Sequence, residues 1–202
     1  MSSLVFFVAL IPPAIFAGVN YIDKYLVSRY FRGGGVGALM IFSSLIGAFV
    51  AVIIALFQPH ILNVPFSEGL ILILNGGIYM CAVLPYLHAV QENDISVIVP
   101  LFQLTPVFSF FLEWALLGST LQYYQLASGV VIIGSAIFIS IDMGSDHHFH
   151  LKKKAFLLMS ISSLLFAANS LLFKYFAIST PFWTTSFYEY IGFACVALIL
   201  FL

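Results

Sequence analysis

FAGVNYIDKY at Phe16–Tyr25 and FAANSLLFKY at Phe166–Tyr175 are two versions of one pattern. Phe-Ala opens each and Lys-Tyr closes each, at a constant offset of 150 residues. The helix that follows aligns as well, at an offset of 145, so that FSSLIG (Phe42–Gly47) falls on FYEYIG (Phe187–Gly192). The shift of five fits the shorter connection STPF against SRYFRGGGV.

Both copies lie in apolar surroundings. Charged residues make up 7% of the 202-residue chain, against about 25% in a soluble domain. Too little polar surface remains to cover a globule in water, so the solvent is lipid. Runs of roughly 18 or more apolar residues are long enough to span the hydrocarbon. Seven can be read: Leu4–Leu26, Val36–Phe57, Leu70–Val90, Ile95–Leu117, Leu121–Ile141, Ala155–Ala177 and Phe182–Leu202. The expected fold class is all-α, a polytopic membrane helix bundle.

Other classes fall away on composition. The runs are continuously apolar rather than alternating, which excludes a β-barrel. Met-Ser-Ser gives no positive leader segment, and Pro12-Pro13 sits inside the first run, against a cleaved signal peptide. The net charge of −1 points to no nucleic-acid partner. Cys81 and Cys195 both fall inside predicted spans and suggest no disulfide framework. Neither a phosphate loop nor an HExxH motif is present, and GGGVG (Gly33–Gly37) reads as a flexible connection. No enzyme chemistry and no cofactor are expected.

The repeat fixes the architecture. The sixth span resembles the first and the seventh resembles the second. Five spans separate each pair, an odd number, so the second unit enters the membrane upside down. Inverted repeats are a common plan of secondary transporters, with the binding site at the repeat interface near mid-membrane. On this reading the chain holds one complete five-helix unit and an incomplete second one, which needs roughly 85–90 further residues to finish; a fragment is the expectation. The positive residues Arg29, Arg32 and Lys152–Lys154 follow odd-numbered spans, which puts those loops in the cytoplasm and the N-terminus outside.

Leu84–Ser140 carries a sharper signature: ISVIVPL (Ile95–Leu101) after a tight turn, QLTPVFSF (Gln103–Phe110), the close ALLG (Ala115–Gly118), then Gly129 and Gly134. With FAGVNYIDKYLVSRYF (Phe16–Phe31), this resembles EamA-type transporters of the drug/metabolite transporter superfamily, over residues 4–141, with the next 48 residues fitting a second copy. One departure is Ser119, where such proteins commonly read LGE. The resemblance implies a ten-helix carrier of two inverted units, residues 1–144 and 155–202 here, moving a small metabolite or drug-like solute by alternating access. It implies a multi-pass protein of a bacterial or archaeal plasma membrane, with proton or cation coupling and a homodimer as open options. It also implies both termini in the cytoplasm, opposite to the charge count, so orientation stays open.

The candidate path residues are polar or helix-breaking groups at membrane depth. Glu113 leads, since intramembrane acids are functional by default; it suits proton coupling or cation binding, or else reaches headgroup water near its helix end. Gln103, Pro106, Phe110 and Glu113 fall on one helical face. Pro106 deprives the Phe102 carbonyl of its helical partner, which either lines a path or simply kinks the helix. Glu189 aligns with Ser44. Asn75 and Tyr79, at i and i+4, donate either into a cavity or to neighbouring helices, and the aligned pair Asn20 and Ser170 has the same two options. Lys24 and Lys174 read as lysines snorkelling to opposite membrane faces, with Asp23 as an interfacial or helix-end charge. His88 reads as a solvated imidazole. The run DHHFH (Asp146–His150) has metal-ligand residue types in a hydrophilic linker that wants such residues anyway; no metal site is assigned. A divalent-metal carrier and a non-transporting scaffold are the rival functions.

Overall fold

A computed structural model describes residues 3–30, 35–58, 60–120, 122–139, 141–143, 149–151 and 153–201. Among these residues, the chain runs α1 (Ser3–Arg29), α2 (Gly35–Phe57), α3 (Phe66–Glu92), α4 (Ile95–Phe102), α5 (Leu104–Leu117), α6 (Tyr123–Ile139), β1 (Ile141–Met143), β2 (Phe149–Leu151), α7 (Lys153–Ser179) and α8 (Phe182–Phe201). Five stretches are long and apolar enough to cross a bilayer: α2, α3, the α4–α5 pair, α7 and most of α8. At 27 residues, α1 also has the length of a span, and α6 is a shorter apolar helix. The chain is an all-α polytopic membrane bundle.

Three boundaries depart from expectation. The fourth span is two helices, broken at Gln103, which closes α4 and opens α5 with φ −67° and ψ −4°. The break precedes Pro106 rather than centring on it. Pro106 thereby lands in the first turn of α5, where a missing N–H costs no intrahelical bond. Helix α3 starts at Phe66, four residues before Leu70, with Glu68 in its first turn, where a carboxylate complements the positive end of the helix dipole. Part of the linker after α6 forms a two-stranded antiparallel ribbon, pairing Ile141 with Leu151 and Met143 with Phe149. Helix α5 ends as ALLG suggests: Gly118 takes the left-handed φ of 62° and its N–H caps the Glu113 carbonyl.

Helix α3 is the central element, packed against α7 and α8 along most of its length. Met40, Met80, Leu87, Val90, Ile98, Leu101 and Met159 form the buried core around it. The closest approach is the crossing of α3 and α8. A Cβ placed on Gly76 would collide with the Glu189 carbonyl oxygen and lie 2.9 Å from the Gly192 Cα; a Cβ on Gly192 would collide with the Ile73 carbonyl oxygen. The two glycines thus seat reciprocally on each other's backbone, as small residues do at membrane helix interfaces. Gly47 and Ala51 of α2 pack against Tyr190 and Phe187 of α8. Outward side chains such as Phe49, Leu56, Val130 and Ile199 are largely uncovered, which suits a lipid-facing surface.

Two lysines fix helix directions. Near the end of α1, the Lys24 ammonium donates to the carbonyls of Val90 and Asn93, both at 2.8 Å, at the C-terminal end of α3. Lys154, the second residue of α7, pairs with Glu92 at 2.5 Å in the same region. So α1 ends where α7 begins, and the two helices carrying the repeated pattern run in opposite directions. At the far end of the bundle, Lys174 of α7 pairs with Glu113 in the last turn of α5 at 2.9 Å. The equivalent lysines therefore do sit at opposite ends, yet each has a protein partner. Lys24 caps a helix C-terminus, where four carbonyls lack intrahelical donors, and Lys174 forms an ion pair.

Candidate functional site

A cavity of about 430 Å³ lies between α1, α2, α3 and α8, with Phe102 of α4 and Phe166 of α7 closing it. Its size falls within the usual range of small-molecule pockets, roughly 300–1,000 Å³. Seven of its eighteen lining residues are aromatic: Phe16, Tyr79, Tyr86, Phe102, Phe166, Tyr190 and Phe193. These rings touch in series. Phe16 to Phe102, Phe102 to Phe166 and Phe166 to Tyr79 each have centroids 5.2 Å apart, and Tyr79 stacks on Phe193 at 4.4 Å. Such spacings are those of favourable aromatic pairs, and they give the wall a preset shape.

The polar groups of this cavity are Asn20 and Asp23 of α1, Ser43 of α2, Tyr79 and Tyr86 of α3 and Tyr190 of α8. Asn20 and Asp23, spaced i and i+3, share one face and both line it. The Tyr86 hydroxyl lies 2.6 Å from Asn20 Oδ1 and 3.1 Å from Asp23 Oδ2. It has one proton for two acceptors, and the shorter contact goes to Asn20. Asn20 Nδ2 in turn donates to the Phe16 carbonyl at 2.8 Å. Asp23 lies within α1, which runs six residues past it to Arg29.

A second cavity, about 290 Å³, is lined by Tyr79, Asn169, Ser170, Phe173, Lys174 and Glu189. Glu189 Oε1 accepts from Asn169 Nδ2 at 2.7 Å and from Asn75 Nδ2 at 3.2 Å, and Asn169 Nδ2 also lies 3.2 Å from the Asn75 carbonyl. Three helices, α3, α7 and α8, are tied at one carboxylate oxygen. Asn75 is 1% exposed and its Oδ1 finds no partner among the described residues. The acid aligned with Ser44 is thus held by amide donors, while Ser44 itself bonds the Ile41 carbonyl within its own helix.

Of the expected path residues, Asn20 and Tyr79 line the larger cavity, and Tyr79, Ser170 and Glu189 line the smaller one. Tyr79 belongs to both. Asn75 sits behind Glu189 as an interhelical donor. Gln103 and Pro106 are exposed and line neither cavity. Glu113, with 30% of its side chain exposed, is engaged by Lys174 near the end of α5 and lines neither cavity. His88 is exposed and contacts the Leu84 carbonyl one turn back. The DHHFH run falls largely outside the described residues, and among those described no group of three His, Cys, Asp or Glu side chains converges. Asp23 was read as an interfacial or helix-end charge, and Tyr86, Asn169 and the aromatic wall were not singled out by sequence. The one available signal was the i, i+3 pairing of Asn20 with Asp23.

A family model, the EamA-like transporter family, matches residues 3–141. No curated protein and no solved structure matches the chain. The match covers more than half of the sequence and follows the first five predicted spans. The chain belongs to the EamA-like transporter family, and it is a multi-pass integral membrane protein of a family whose members are transporters rather than enzymes, with small-molecule substrates.

Proposed function

We propose that this EamA-like chain is a secondary transporter that moves a small metabolite or drug-like solute by alternating access, with the 430 Å³ cavity as its solute site. The observation that carries this reading is the composition of the cavity wall. Side chains from both units, residues 1–144 and 155–202, close around one space: Phe16, Asn20 and Asp23 from the first, Phe166, Tyr190 and Phe193 from the second. A site at the seam of two oppositely directed units opens to one face or the other when the units rock. Coupling to a proton or another cation would fall to the membrane-depth acids Asp23 and Glu189. The plasma membrane of a bacterium or archaeon is the setting of this reading.

The test is exchange in proteoliposomes containing the purified chain. Vesicles loaded with a mixed pool of amines, amino acids and nucleosides are challenged with each labelled solute outside. Counterflow of at least one solute is expected, reduced tenfold or more by Ser43→Trp, which fills the cavity. Equal leakage in protein-free vesicles, or exchange indifferent to Ser43→Trp, would sink the assignment.

A further inference from the structure

We infer that the larger cavity selects an organic cation with an aromatic or otherwise apolar body, recognised by the Asp23 carboxylate at one end and the aromatic wall at the other. This deepens the transporter reading and rests on its choice of cavity. Among the described residues, Asp23 contributes the one formal charge in the lining, and no Lys, Arg or His lines the space. The neighbouring ammonium of Lys24 is committed elsewhere, at 2.8 Å from both Val90 O and Asn93 O. What Asp23 does receive is a share of the single Tyr86 proton, at 3.1 Å, while Asn20 Oδ1 holds that hydroxyl at 2.6 Å. A carboxylate in this position lacks a full complement of donors. An ammonium brings both the opposite charge and up to three N–H groups, and an uncompensated charge is costly at membrane depth.

The wall fits the rest of such a solute. Rings of Phe16, Phe102, Phe166 and Phe193 offer π faces and edges that attract both a cation and an aromatic body. An anion would meet the carboxylate with no counter-charge available. A neutral solute would fill the apolar part and leave Asp23 as it stands.

Three probes of one size and shape separate these cases: phenethylamine, 2-phenylethanol and phenylacetate, titrated calorimetrically into the whole chain in detergent at neutral pH. The amine is expected to bind at least tenfold more tightly than the alcohol, with the acid weakest. Asp23→Asn should erase the amine's advantage while keeping the alcohol within threefold, and Asp23→Glu, which keeps the charge, should restore the preference. The alcohol or acid binding as tightly as the amine, or an unchanged preference in Asp23→Asn, would overturn the cation assignment and leave the cavity in place. Binding of no probe, or binding untouched by Ser43→Trp, would remove the cavity itself and this inference with it. Amine binding without counterflow would instead count against transport alone.

Discussion

Replacing Gly76 with alanine tests the tightest contact in the bundle. The added Cβ meets the Glu189 carbonyl oxygen, the Glu189 carbonyl carbon at 3.0 Å and the Gly192 Cα at 2.9 Å. Favourable carbon contacts lie near 3.5–4.0 Å and the carbonyl oxygen is nearer still, so α3 and α8 must part by about 1 Å or more. All three neighbours are backbone, and no side-chain rotation relieves them. Overpacking of this kind costs about 3 kcal/mol at the upper end of the usual range. Alanine regains up to about 1 kcal/mol over glycine inside a helix, leaving a net loss of about 2 kcal/mol. At roughly 2–4 °C per kcal/mol for a chain of this size, Tm should fall by about 4–8 °C. Two further glycines serve as internal controls. At Gly77 the nearest atom is the movable Val196 Cγ2 at 3.0 Å, and at Gly134 nothing lies within 4 Å. Gly77→Ala should therefore be near neutral, and Gly134→Ala should gain about 0.5–1 kcal/mol. Thermal unfolding of the three variants in one detergent, followed by circular dichroism, checks the order. A Gly76→Ala chain melting at or above Gly77→Ala would refute the backbone-crossing argument.

Lys24→Met removes a charged donor from the carbonyls of Val90 and Asn93, so a loss of about 1.5–3 kcal/mol is expected, together with faster amide exchange around residues 89–94; unchanged protection there would show the cap to be inert. Glu189→Leu strands the Asn75 and Asn169 amide donors at about 1–3 kcal/mol each, whereas Glu189→Gln retains a carbonyl acceptor and should lose less than half as much in the same melt; equal losses would contradict the three-helix tie. Glu113→Gln breaks a pair whose lysine side chain is 63% exposed, and exposed pairs are worth about 1 kcal/mol or less, so stability should change by no more than that and solute exchange by less than threefold; a tenfold drop in exchange would reinstate Glu113 as a path residue. In a cysteine-free background, cysteines placed at Arg29 and Lys154 should label from one membrane face and one at Ser179 from the other, and labelling of all three from one side would break the antiparallel relation of α1 and α7.

Composition made the bundle and its spans legible, because lipid demands long uninterrupted apolar helices and little else. The inverted relation of α1 and α7 was legible too, since it follows from counting spans between FAGVNYIDKY and FAANSLLFKY. The break at Gln103 was not. A proline announces a missing hydrogen bond but not on which side the helix yields, and the yield came three residues before Pro106. That break also interrupts the helical phase, so the face counted from Gln103 to Glu113 does not hold across it. That Asp23 lines a cavity was not legible, because the partner that brings it there, Tyr86, lies 63 residues away on another helix. The Asn75–Asn169–Glu189 tie draws on three helices, and spacing along a chain carries no information about which faces meet.

Tyr79 stands in the wall of both cavities, its ring clamped flat on Phe193 and edge-on against Phe166. The two cavities therefore share one side chain, and a substitution at Tyr79 reaches the lining of both at once.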